Sequence, residues 1–116
     1  YTLEKVCEYL NIPYKYDIFS KMDLKINKVK APDEWALNIT KALGYDTYIN
    51  PPGGMSFFDR KKYEAENINL EFLKINLKPY IQRIGKFEEG LSIIDAMMFL
   101  KPEEINEMLD DYTILT

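Results

Sequence analysis

The chain has 116 residues, 47% hydrophobic and 29% charged, with fifteen basic and nineteen acidic residues for a net charge of -4. That composition is globular rather than disordered, and at this length roughly 65% of the unfolded chain's surface is buried on folding. An acidic balance argues against a general nucleic-acid or anionic-membrane binder, which needs clustered positive charge.

Histidine is absent and there is one cysteine, Cys7. Within this chain that removes Ser-His-Asp and Cys-His mechanisms, most zinc sites and any internal disulfide. No apolar stretch approaches the ~20 residues needed to span a bilayer, and no signal-peptide pattern opens the sequence. The expectation is a soluble cytoplasmic domain. Because it begins at Tyr1 rather than Met, it is expected to be a piece of something longer.

Leu3, Val6, Cys7 and Leu10 recur at helical spacing, and Pro13 stops that helix. Cys7 on this stripe reads as a buried, inert thiol. Tyr14 to Met22 is rich in Tyr, Ile and Phe and reads as a strand. Pro32, Asp33 and Glu34 open a second helix, with the acids at its positive dipole end, and Gly44 closes it. Asp46 to Asn50 is a second strand, followed by Pro51-Pro52-Gly53-Gly54. A polar helix over Asp59 to Glu66 leads to a third strand, Leu70 to Ile75. Two short helices follow, Ser92 to Leu100 and Pro102 to Tyr112. The pattern predicts one α/β domain over residues 1–116: a parallel sheet of about three strands with crossover helices, layered with helix, plus two C-terminal helices.

Ligands in open α/β folds bind beyond the carboxyl ends of the strands. That rule selects residues 22–30, 50–58 and 76–90. In the second segment, Gly53 and Gly54 allow a positive φ or a close backbone approach, and their N–H groups could cradle an anion. Asn50, Ser56 and Asp59 flank them. The alternative is a rigid turn into a helix capped by Ser56 or Asp59. The spacing is neither a Walker loop nor GxGxxG. Ser92 and Asp95 have capping-box spacing, and without a histidine to activate Ser92 the cap is the preferred reading; Asp95 is left open to a second role. Tyr80 and Gln82 alternate on an extended piece and are candidates to face one cleft. Lys28, Lys30, Arg60, Lys61 and Lys62 read as solvated surface rather than a phosphate site. Met97, Met98 and Met108 read as core, or as a surface covered by a further segment.

Several stretches carry a family resemblance. Lys41 to Gly54, Phe58-Asp59, Ile68 to Phe72, Tyr80-Ile81-Gln82, Leu91 to Asp95 and Lys101-Pro102-Glu103 resemble, in this order, the signatures of the bacterial WbqC-like family. The resemblance runs from about Trp35 to Leu109. It implies a role in surface polysaccharide (O-antigen, lipopolysaccharide) biosynthesis, with transfer of an aminoacyl or acyl group onto an activated sugar as one activity. It also implies that a longer N-terminal portion, bearing the family's histidine motif, is the partner of this piece.

Carried over residue by residue, Asp95 and Asp59 are the catalytic candidates. Asn50, Gly53, Gly54, Tyr80, Gln82 and Ser92 are the candidates for contacting a sugar or nucleotide-sugar. No cofactor or metal is assigned. Asn50 stands where the family has glycine, Pro52 replaces a small residue, and Ile81 replaces proline; the first two stiffen the loop. The competing reading is a binding or scaffold module that docks a partner enzyme.

Overall fold

The computed structural model describes residues 1–83 and 85–116. In chain order the elements are α1 (Thr2–Tyr9), α2 (Glu34–Ala42), β1 (Thr47–Asn50), α3 (Arg60–Ala65), β2 (Asn69–Ile75), α4 (Ile93–Phe99), α5 (Pro102–Leu109) and β3 (Tyr112–Leu115). Short 3-10 turns occupy Phe19–Lys21 and Pro52–Phe57. The class is α/β. The chain forms two compact units, one of Tyr1–Tyr16 with Ile75–Tyr112, the other of Asp17–Lys74 with Thr113–Thr116.

The second unit is built on a sheet of strand order β1-β2-β3. β1 and β2 are parallel, with Thr47 opposite Asn69 and Asn50 opposite Phe72. A parallel pair needs a crossover, which here holds the Pro52–Phe57 turn and α3. Leu70 and Phe72, two apart on β2, point to one face as strand geometry requires. They are buried with Leu37 of α2, Tyr63 of α3 and Ile68. Tyr63 is wholly buried; its hydroxyl donates to the Asp33 carbonyl at 3.0 Å, so its one polar atom is satisfied. Burial pushes its phenol pKa well above the ordinary value.

The first unit is helical. Leu10, Ala96 and Ile105 form its buried centre, with Val6, Tyr80, Ile93, Met97 and Leu100 packed around them. α1 ends as its stripe predicts, with Asn11 in the left-handed region (φ 54°) two residues before Pro13. Asn106 Nδ2 donates to the Leu10 carbonyl at 3.0 Å, tying α5 to the end of α1. At the start of α5 the Lys101 N–H donates to Glu104 at 2.8 Å, with Pro102 in the first helical position. Cys7 is half-buried rather than fully enclosed. Met98 is exposed, whereas Met97 packs against the core.

Three expectations need correction. Tyr14 to Met22 is not a strand: residues 12–18 have no regular structure, and 19–21 form a 3-10 turn. Residues 14–21 are exposed, so the alternating rings have no sheet face to bury. They find each other instead, Tyr14 with Tyr16 at 5.0 Å and Phe19 edge-on to Trp35 at 6.1 Å. The third strand is β3, which begins at Tyr112, expected to be the end of a helix; α5 stops at Leu109. In consequence α2 precedes the first strand instead of crossing between two, and residues 22–30 do not follow a strand.

Candidate functional site

Two clusters gather the residues singled out above, one in each unit. In the helical unit, α4 begins at Ser92, whose Oγ accepts from the Ile94 N–H at 3.4 Å. A reciprocal capping box would turn the Asp95 carboxylate back to the helix start. Here that carboxylate is engaged by other donors. Its Oδ2 accepts from the Tyr80 hydroxyl at 2.5 Å and from Gln82 Nε2 at 2.9 Å. Tyr80 and Gln82, two apart on an irregular segment, thus reach the same oxygen. Oδ1 carries neither bond.

Gln82 is fixed in turn. Its Oε1 accepts from the Glu88 N–H at 2.8 Å, and its Nε2 donates to the Glu88 carbonyl at 3.1 Å. Nε2 is also 3.4 Å from the Tyr80 hydroxyl oxygen. This pattern determines which end of the amide is nitrogen, because a flipped amide would set oxygen against a carbonyl and a carboxylate. Phe87 meets the Tyr80 ring edge-on at 5.3 Å. The hydrogen bond to Asp95 raises the Tyr80 pKa above its ordinary value, since losing the proton would forfeit the bond and place two negative groups together.

The second cluster follows β1. The Tyr48 hydroxyl donates to Asn50 Oδ1 at 3.0 Å, and Asn50 Nδ2 donates to the Pro51 carbonyl at 3.0 Å. A Cβ on Gly54 would lie 2.6 Å from Asn50 Nδ2 and 3.1 Å from a Phe58 ring carbon. Gly54 therefore provides a close approach, but to its own loop. A Cβ on Gly53 would meet nothing within 4 Å. Neither glycine has positive φ, and the Gly54 N–H donates to the Pro51 carbonyl at 3.3 Å. Asp59 caps α3, its Oδ1 accepting from the Lys61 N–H at 3.1 Å. Its own N–H donates to Asp33 Oδ2 at 3.3 Å.

Residues 1–107 match the WbqC-like protein family. The chain belongs to that family. The match takes in α1 and the residues up to Trp35, which the quoted signatures do not reach. No curated protein and no solved structure matches the chain. In this WbqC-like chain the signature from Lys41 to Gly54 covers the end of α2, β1 and the glycine turn. The signature from Leu91 to Asp95 covers the start of α4 and brings the carboxylate to Tyr80 and Gln82.

Sequence reasoning missed the supports of both clusters. Glu88 contributes through its main chain, which no residue pattern marks. Lys62, expected to be solvated surface, bridges Asp33 Oδ1 and Glu34 Oε1 at 3.0 Å each. Asp33, expected only to offset a helix dipole, is 5% exposed and reaches across to α3. These carboxylates raise the Lys62 pKa, the Asp33 bond contributing most. Arg60 donates to the Leu70 carbonyl at 2.9 Å and lies over the Phe72 ring. Among the described residues there is no group of three or more His, Cys, Asp or Glu able to hold a metal ion. Nor is any helix among them long and apolar enough to cross a membrane.

Proposed function

We propose that this WbqC-like chain works in the assembly of bacterial surface polysaccharide, O-antigen included, in the cytoplasm. It binds a sugar or nucleotide-sugar and transfers a group onto it. The observation that supports this reading is the convergence of Tyr80 and Gln82 on one oxygen of Asp95. A carboxylate, an amide and a phenol held in fixed directions are the groups that hydroxyl-rich ligands pair with. Asp95 Oδ1 takes the proton of a sugar hydroxyl as that oxygen attacks the activated donor, whose leaving group departs with its bonding pair. Gln82 and Tyr80 hold the carboxylate in place, and Ser92 contributes its hydroxyl at the same helix start. Asn50, Gly53 and Gly54, in the other unit, are in this reading ligand contacts of a separate surface. Asp59 is the lesser carboxylate, because one of its oxygens already caps α3.

A second reading, a docking module without chemistry, is favoured by a separate observation. Ile94 and Met98, four apart on one face of α4, are 56% and 74% exposed, and Leu91 just before the helix is exposed as well. Thermal shift of the chain against nucleotide-sugars, nucleotides and inorganic phosphate separates the two. Ligand at 100 times its dissociation constant adds about 2.7 kcal/mol, several degrees for a domain of this size. The enzyme reading expects a shift with a nucleotide-sugar that is lost in Asp95→Asn. No shift with any ligand would remove this chain as the sugar-binding part and leave the docking reading.

A further inference from the structure

The helical unit has a gap in its packing. Ile93, Ala96, Ile105, Met108, Leu109 and Phe87 contribute the apolar lining of a half-open cleft of about 190 Å³, with Asn76 and Lys78 also on its wall. Packed interiors leave few voids larger than a water, and each methylene-sized gap forfeits dispersion contacts. Ala96, a small buried side chain clustered with Ile93, Met97 and Leu100, is part of its lining. A larger residue there would close the space. Tyr80, Glu88 and Ser92 also line the cleft, and through the Tyr80 hydroxyl it adjoins the Asp95 cluster.

We propose that this cleft is a ligand pocket for a compact hydrocarbon group of about six carbons. That group is carried on a ligand whose polar part lies at the Tyr80–Asp95 rim. The size follows from volume: an apolar cavity of about 150 Å³ holds one benzene molecule. The class follows from the lining, which offers aliphatic, thioether and aromatic carbon and few polar atoms inside. A mostly apolar cleft with polar groups beside it selects a ligand that is itself divided in this way. A branched acyl substituent and a ring share this chemistry. Only the placement of the polar part rests on the sugar-site reading above; the apolar pocket stands on volume and lining alone.

Benzene tests the pocket without involving Asp95, since it has no polar group to pair. The chain is labelled at its Ile, Leu, Met and Ala methyl carbons and titrated with benzene. The expected result is saturable shifts confined to the methyl groups that line the cleft, those of Ile93, Ala96, Ile105 and Met108 among them, abolished in Ala96→Leu. If Ala96→Leu does not fold, Leu109→Phe at the rim serves as the filling variant, checked for folding by its spectrum before titration. Absence of saturation would mean an unoccupied packing void and would overturn the proposal. So would shifts that persist in the filled variant, or methyl shifts that follow protein concentration without benzene, which would seat a second copy there. The nucleotide-sugar experiment has a different readout, so either proposal can fail while the other stands.

Discussion

Gln82 and Glu88 are joined through both main-chain polar groups of Glu88: the Gln82 amide oxygen accepts its N–H at 2.8 Å and the amide nitrogen donates to its carbonyl at 3.1 Å. That clamp leaves the same nitrogen aimed at Asp95, 2.9 Å away. The direction of the carboxylate in the helical unit is thus set by a loop residue, with its own helix start capped by Ser92.

Gln82→Glu keeps the shape of the side chain but replaces the donor by an acceptor. Facing the Asp95 carboxylate and the Glu88 carbonyl, the new oxygen loses two bonds and gains repulsion. At a partly exposed place such as this, losing a bond costs about 0.5–1.5 kcal/mol. Urea denaturation at neutral pH should show a lower midpoint with an unchanged slope. An unchanged midpoint would mean that the clamp is not formed in solution.

The two glycines of the Pro-Pro-Gly-Gly turn should differ. Gly53→Ala has open space and a compatible backbone, so it should be neutral or stabilising by about 0.4–1 kcal/mol through the unfolded chain. Gly54→Ala pushes Asn50 off Tyr48 and Pro51 and should cost about 1–3 kcal/mol. Adding Asn50→Ala to Gly54→Ala should recover part of that loss, which a double-mutant cycle measures. Equal effects at the two positions would contradict the geometry.

Stability should fall at both ends of the pH range. The Lys30 N–H and then Lys62 hold Glu34 below the ordinary carboxylate pKa, and Lys78 and then Asn76 do the same for Asp111. A depressed carboxylate contributes stability above its unfolded pKa of about 4, and the contribution is lost as pH falls through the folded value. Lys62 and Tyr80 are raised, chiefly by hydrogen bonds to Asp33 and to Asp95. Their contribution is complete below the unfolded value of about 10 and is lost as pH rises through the folded one. Denaturant midpoints across pH should show both limbs. Glu34→Gln and Asp111→Asn should each flatten the acid limb; an acid limb unchanged in both would count against these pairings.

Much of this architecture is legible in the sequence, and the misses have physical causes. α2, β1 and β2 announce themselves because periodicity, a closing glycine and β-branched residues agree at those places. Tyr14 to Ile18 alternates like a strand, but strand propensity measures fit to a half-buried surface, and no surface is there to fit. β3 is four residues, Tyr-Thr-Ile-Leu, too short for a periodicity argument to separate from the helix before it. At the site, Tyr80, Gln82 and Asp95 were each recognisable as candidates. Their convergence on one oxygen was not, because it depends on the Glu88 main chain and on Ser92 capping α4. Lys62 was misread because its partners, Asp33 and Glu34, lie 29 and 28 residues away in sequence.

The Tyr80–Asp95 bond can be read in isolation. Asp95→Asn should bring the Tyr80 pKa back down toward the ordinary value of about 10, followed by its ring resonances or ultraviolet absorbance on alkaline titration. A pKa that does not move would show that the phenol has another partner in solution.

The central claim is that the carboxylate held by Tyr80 and Gln82 carries the function. The most direct measurement is the surface polysaccharide of bacteria in which the protein's own copy carries Asp95→Asn, with folding and abundance of the variant checked alongside. The expected result is a folded, normally abundant protein and lost or altered polysaccharide. Normal polysaccharide with that variant would contradict it and leave the docking reading in its place.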